Sequence, residues 1–163
     1  MVVGVVSCLL VSIVSLLKGR KNWAIFSQDT GKRFFATNTI IEEDTMKILI
    51  IFNHAPYDGT DVTWNGLRLA ENLAESGKEV RIFLMNDSVD MARDVCKPPA
   101  NYDQDLSDML RGLISLGVEV KVCGTCMARC GIYKNHPYFE GAAHSTMPEL
   151  GAWVLDSDKV ITF

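Results

Sequence analysis

From residue 46 onward the apolar positions switch between a strand-like and a helix-like pattern. Lys47 opens onto Ile48-Leu49-Ile50-Ile51-Phe52, a continuous apolar run that predicts a central parallel strand covered on both faces. Thr60 or Asp61 can cap a helix whose inward stripe is Val62, Leu67, Ala70, Leu73 and Ala74, ending at Gly77. Glu79 to Met85 reads as a second strand, and Asn86-Asp87-Ser88 starts a short helical stretch reaching Val95. Pro98-Pro99 forces a loop. Asp103 to Leu116 reads as a helix with Leu106, Met109, Leu110 and Leu113 inward, closed by Gly117. Val118 to Val122 is a third strand and stops at a cysteine.

Beyond that strand, Tyr133 to Gly141 is polar and aromatic, and Gly141 to Ser145 reads as a short extra strand. Thr146-Met147-Pro148-Glu149 has the spacing of a capping box with an early proline. The helix it starts runs to about Ser157, with Leu150, Trp153 and Val154 inward, and Lys159 to Phe163 is a terminal strand. Strands alternating with helices predict an α/β fold: a three-layer α/β/α sandwich around a mainly parallel sheet of about five strands. In such sheets ligands collect outside the carboxyl ends of the strands. Two segments qualify, Asn53 to Gly59 after the first strand and Cys123 to Ile132 after the third.

Residues 1–45 do not share this patterning. Val2 to Leu17 is nearly all apolar and is followed by Lys18-Gly19-Arg20-Lys21, at the short edge of the ~17–25 residues that span a membrane. No basic region precedes it and no convincing small-x-small cleavage site follows, which argues against a secretory signal. Met46 is the expected biological start, with residues 1–45 an upstream translation artefact. The alternative is a membrane anchor and linker. The expected domain is 46–163.

Composition narrows the class. At 163 residues the chain is one domain by length, with 48% hydrophobic and 22% charged residues as in an ordinary globular protein. The net charge of −4 gives no reason to expect nucleic acid as a partner. Removing residues 1–45 takes away five basic and four acidic side chains and leaves the remainder acidic. No membrane partner is expected for the 46–163 domain. Three of the 5 cysteines are bunched in one segment, which fits a reducing compartment better than a secreted disulfide framework. Cytoplasm is the expected location.

The chemistry sits in the two loops. The first has neither a G-x-G-x-x-G nor a P-loop pattern, so no dinucleotide or nucleotide cofactor is expected. Its Asn53 and His54 are auxiliary candidates; His54 could orient or deprotonate a partner, or simply be a solvated loop residue. In the second loop Cys123 precedes a possible helix start near Gly124, where free N–H groups favour a sulfur anion, and Arg129 adds a positive charge nearby. That combination suits attack on sulfur, or carriage of a terminal sulfur as a persulfide. Cys126 and Cys130 would share one helical face if the helix were continuous. Four uses stay open from the residues: nucleophilic or carrier sulfur, a reversible C-x-x-C disulfide, structural filler, or a metal site completed by His136 or His54.

In this order, Met46-Lys47-Ile48-Leu49-Ile50-Ile51, Ala55-Pro56-Tyr57, Leu67-Arg68-Leu69-Ala70, Val120-Lys121-Val122-Cys123-Gly124-Thr125-Cys126, Gly131-Ile132 and Asp158-Lys159-Val160-Ile161-Thr162-Phe163 are a set of motifs. With them, residues 46–163 resemble the DsrE/DsrF-like sulfur-relay family, in particular its YchN-like branch. The resemblance implies a three-layer α/β/α protein that forms homo-oligomers, commonly trimers or hexamers. It implies a sulfurtransferase-like carrier in which Cys123 accepts sulfane sulfur from a donor protein and relays it to an acceptor protein. From the residues themselves, no cofactor and no resident metal are expected. Many relatives have Arg-Gly-Ile after the cysteines, whereas here Cys130 takes the arginine position and Arg129 comes one residue earlier. That leaves Cys126 and Cys130 as resolving thiols, second carriers, or neither. The competing class is a metal- or ligand-binding oligomeric module, or a thiol redox sensor, without transfer activity.

Overall fold

The structure, a computed structural model, describes residues 45–163. The reading of residues 1–45 as an artefact or an anchor therefore falls, but for Thr45, outside the described residues. Five strands, β1 (Lys47–Phe52), β2 (Glu79–Leu84), β3 (Glu119–Cys123), β4 (Ala142–Ser145) and β5 (Lys159–Thr162), form one sheet in the order β4-β3-β2-β1-β5. All four pairings are parallel. The chain thus steps outward from β1 to β4 and returns to the far side of β1. The helices are α1 (Val62–Glu75), α2 (Leu106–Ser115), the single turn α3 (Gly124–Met127) and α4 (Met147–Asp156).

The strand pattern decides the layering. Phe52 is paired in register with Leu84, so the preceding Phe83 points to the opposite face. Phe52 meets Gly66 of α1 at a distance that leaves no room for a Cβ. Phe83 packs edge-on against Trp153 of α4, with ring centroids 6.3 Å apart. Helices therefore cover both faces, α1 and its neighbour α2 on one and α4 on the other. Every residue of β1 after Lys47 is buried, as an apolar run in a doubly covered strand requires.

The helix ends and stripes differ from expectation in detail. In α1 the buried positions are Thr63, Gly66, Leu67 and Ala70, while Leu73 and Ala74 are only partly buried. The closest approach to the sheet is at Gly66, which shifts the inward stripe toward small residues. Helix α2 begins at Leu106 because Asp105, not a residue near Asp103, caps it by accepting from the Asp108 N–H at 3.0 Å. Helix α4 opens on the expected capping box: the Glu149 carboxylate accepts from the Thr146 N–H and the Ser145 hydroxyl, each at 3.0 Å. Val154, expected inward, is 41% exposed, since Leu150 and Trp153 already fill the narrow contact with the sheet. The expected short helical stretch starts at Asn86 as a 3-10 helix and ends at Ala92, three residues before Val95. Its residues from Ser88 to Ala92 are all buried, and the Ser88 hydroxyl donates to the carbonyls of Phe52 and Met85 at 2.8 and 2.7 Å. Tertiary anchoring of this kind overrides the weak local helix signal. Among the described residues no helix is long and apolar enough to cross a membrane.

Candidate functional site

Cys123 is the last residue of β3, paired with Ser145 of β4, and also the residue from which α3 departs. The strand cannot continue straight because the chain turns into α3 at Gly124. A Cβ at Gly124 would overlap the His144 imidazole, so this glycine lets the ring lie directly against the backbone that follows Cys123. The turn itself is short. Helix α3 ends at Met127, so Cys126 and Cys130 are not brought together by a continuous helix as the spacing suggested. The Cys130 N–H still donates to the Cys126 carbonyl at 2.9 Å, after which Gly131 takes φ +78°.

Two sulfurs meet. Cys126 Sγ lies 2.9 Å from Cys123 Sγ, and both are free thiols. Both are also sheltered, at 5% and 8% exposure for Cys123 and Cys126, whereas Cys130 is half-buried. Burial, then the neighbouring Cys123 sulfur, pushes the Cys126 thiol up to about 12, against a weaker pull from the Asn86 N–H. Cys126 accordingly keeps its proton at neutral pH and directs it toward the Cys123 sulfur. Cys96, remote from the cluster in sequence, is buried and raised to about 11, mainly by desolvation.

The loop is held from below by the 3-10 helix. Asp90 accepts from the Ile132 N–H at 2.6 Å, and Asp87 accepts from the Gly131 N–H at 2.8 Å. Arg93 is fully buried at 0% exposure, with Nε 3.3 Å from Asp90 Oδ1 and Nη2 donating to the Met127 carbonyl at 3.0 Å. One ion pair thus holds the loop on either side of Cys130, at Met127 and at residues 132–133. Burial raises the Asp90 carboxyl, while the Ile132 N–H and Arg93 pull it back down. A Cβ at Gly131 would overlap the Asp90 carboxylate, so this glycine is required both by its φ and by the close approach. Tyr138 pairs with Arg93 in an isolated antiparallel bridge, and the guanidinium stands 5.5 Å from its ring centroid. Its buried Oη and Arg93 Nη1 make no hydrogen bond of ordinary geometry among the described residues, although the two side chains lie against each other. Desolvation raises the Tyr138 phenol, Arg93 opposes the rise, and both Cys123 and Cys126 add to it. The phenol therefore sits within electrostatic reach of the thiol pair.

The other sequence candidates fall at different distances from the cluster. The Asn53 side chain accepts from Asn86 Nδ2 at 3.3 Å, and Asn86 in turn offers its N–H to Cys126, so Asn53 is one residue removed from the cysteines. His54 instead pairs with Asp58, Nδ1 to Oδ2 at 3.0 Å. The Arg129 side chain is exposed and makes no hydrogen bond or ion pair with the described residues. His136 is exposed with its ring edge-on to Tyr133, at 6.4 Å between centroids. Among the described residues no three His, Cys, Asp or Glu side chains are grouped to hold a metal ion. Four residues were missed from the sequence: Asp90, Arg93, Tyr138 and His144. Asp90 and Arg93 carried a signal, opposite charges three apart inside the apolar Val89-Asp90-Met91-Ala92-Arg93. His144 carried none.

Known proteins share this architecture. The sequence model of the DsrE/DsrF-like family matches residues 46–163. Protein YchN of Escherichia coli strain K12 is 40% identical over 119 residues, which is 72% of this chain and 98% of YchN. An uncharacterized protein of Methanocaldococcus jannaschii is 38% identical over 120 residues, 72% of this chain and 100% of its own. The crystal structure of the Escherichia coli ychN protein superposes with a TM-score of 0.63 at 38% identity, covering 73% of this chain and 100% of that one. With the family's sequence model matching residues 46–163 and relatives 38% and 40% identical over 100% and 98% of their own length, the chain belongs to the DsrE/DsrF-like family.

Proposed function

We propose that the protein is a sulfur carrier of the sulfurtransferase type, with Cys123 as the residue that accepts sulfane sulfur and passes it to a partner thiol. The observation that carries this reading is the placement of Cys123 at the carboxyl end of β3, where the chain turns into α3. A thiolate at Cys123 attacks the sulfane sulfur of a donor, the donor thiolate leaves, and Cys123 holds the terminal sulfur as a persulfide. Attack by an acceptor thiol on that terminal sulfur returns Cys123 to its starting state. The chemistry needs no cofactor and no metal. Donor and acceptor are proteins bearing reactive thiols, met in the cytoplasm. Several copies of the 46–163 domain assemble, as a trimer or hexamer; Met147, Val154, Leu155 and Val160 are exposed apolar residues that further copies would cover.

The test is peptide mapping after exposure to inorganic polysulfide and alkylation of the product. One added sulfur on the peptide containing Cys123, absent in Cys123→Ser, is expected. Loading confined to Cys130 or Cys96 would overturn the assignment. A second reading, redox sensing without transfer, draws on the same close thiol pair. It predicts a Cys123–Cys126 disulfide under mild peroxide and no sulfur uptake at all.

A further inference from the structure

The carrier reading uses one thiol and leaves three features of the cluster without a task. Cys126 is buried, immobilised and 2.9 Å from Cys123 Sγ. Its neighbour Cys130 is more exposed and sits beyond the end of α3, held to Cys126 both through its backbone N–H and by contact between the two thiols. Within electrostatic reach of the thiol pair, the Tyr138 phenol is buried against Arg93, and neither its Oη nor Arg93 Nη1 makes a hydrogen bond of ordinary geometry among the described residues. Buried donors of this kind cost free energy unless something accepts from them.

We propose that Cys126 is a resolving thiol, which discharges the sulfur carried on Cys123 as hydrosulfide and closes a Cys123–Cys126 disulfide. The inference rests on Cys123 carrying sulfur in the first place. The Cys126 sulfur attacks Cys123 Sγ, forming the Sγ–Sγ bond. The bond from Cys123 Sγ to the terminal sulfur breaks, and the terminal sulfur leaves with the electron pair and takes the Cys126 proton, departing as HS⁻. Cys126 goes from thiol to disulfide oxidation level and the terminal sulfur is reduced to sulfide, so the step needs no outside oxidant. An external dithiol reductant then opens the disulfide and restores both thiols. The Tyr138 phenol, with Arg93 against it, lies within electrostatic reach of both sulfurs.

The same geometry explains why a carried sulfur is not lost at once. Cys126 is nucleophilic only as thiolate, and its burial keeps it protonated at neutral pH. Handover to an acceptor protein therefore competes well with discharge near neutrality. Discharge gains as pH rises, about tenfold per unit while the thiolate remains a minor species. Without an acceptor, the protein becomes a slow source of sulfide coupled to a reductant.

The experiment loads the full chain with inorganic polysulfide, removes the excess, and follows released sulfide together with the disulfide map of the alkylated protein. Wild type is expected to release sulfide in step with Cys123–Cys126 disulfide. Cys126→Ser and Cys126→Ala are expected to load normally at Cys123 and release sulfide about tenfold more slowly or less, with Cys130→Ser like wild type. Release at the wild-type rate from both Cys126 variants, or a disulfide that uses Cys130 instead, would overturn the inference while leaving the carrier reading intact. Failure of wild type and both variants to load sulfur at Cys123 would overturn both.

Discussion

Removing the Asp90 carboxylate should be the most damaging single change in the loop support. In Asp90→Ala the Arg93 guanidinium stays fully buried, keeps only the Met127 carbonyl at 3.0 Å, and loses the carboxylate 3.3 Å from Nε. Breaking a buried pair by deleting one partner costs about 3–5 kcal/mol, because the remaining charge is uncompensated. Asp87 holds the same loop through one hydrogen bond of 2.8 Å to the Gly131 N–H, in an exposed setting where water can substitute. Asp87→Ala should therefore cost only about 0.5–1.5 kcal/mol. The double variant Asp90→Ala, Arg93→Met removes the stranded charge and should recover a substantial part of the loss. Urea unfolding at one protein concentration measures all three, with iodoacetamide labelling of native Cys126 as the local readout. Faster labelling of Cys126 in Asp90→Ala is expected, since the Asp90 bonds to the Ile132 and Tyr133 N–H groups that hold the far side of the loop are gone. An Asp90→Ala protein within about 0.5 kcal/mol of wild type, or a double variant no better than the single, would refute the argument.

Other outcomes follow from particular residues. Gly131→Ala should destabilise by at least about 1–3 kcal/mol from its φ alone, more with the overlap against Asp90, as measured by urea unfolding. Thermal stability should fall as pH rises above about 8.5, where unfolded thiols begin to ionise. The folded protein still holds those protons on Cys96 (about 11) and Cys126 (about 12), and the phenol proton on Tyr57 (about 12), so raising pH favours the unfolded state. A melting temperature flat through mildly alkaline pH would contradict this. Glu149→Ala removes the capping-box partner of Thr146 and should cost about 1 kcal/mol by the same unfolding measurement.

The parts of the fold that were legible in the sequence are those set by local pattern. Ile48 to Phe52 read as a strand because both of its faces are covered, Val118 to Val122 because valines alternate with the outward Glu119 and half-buried Lys121, and Thr146 to Glu149 read as a helix start because the cap is chemical and local. What was not legible depended on distant partners. The 3-10 geometry of Asn86–Ala92 follows from anchoring to Phe52 and to the cysteine loop, contacts between residues more than thirty positions apart. Val154 lies outward because one helix covers its face of the sheet over a narrow strip. At the site, Cys123 stood out as a thiol at a strand end. The buried Arg93, rather than the exposed Arg129, is the cation packed under the loop, and choosing between two arginines requires knowing which helix lies beneath the cysteines. His144 reaches Gly124 only because β4 pairs with β3, a register that the Ala142-Ala143-His144-Ser145 segment does not announce.

The central claim is that Cys123 carries sulfur, and cyanolysis of the loaded protein tests it most directly. After exposure to inorganic polysulfide and removal of excess reagent, cyanide strips sulfane sulfur as thiocyanate, which is quantified per chain. Wild type and Cys130→Ser should each yield thiocyanate close to one equivalent, and Cys123→Ser essentially none. Equal yields from Cys123→Ser and wild type would contradict the account.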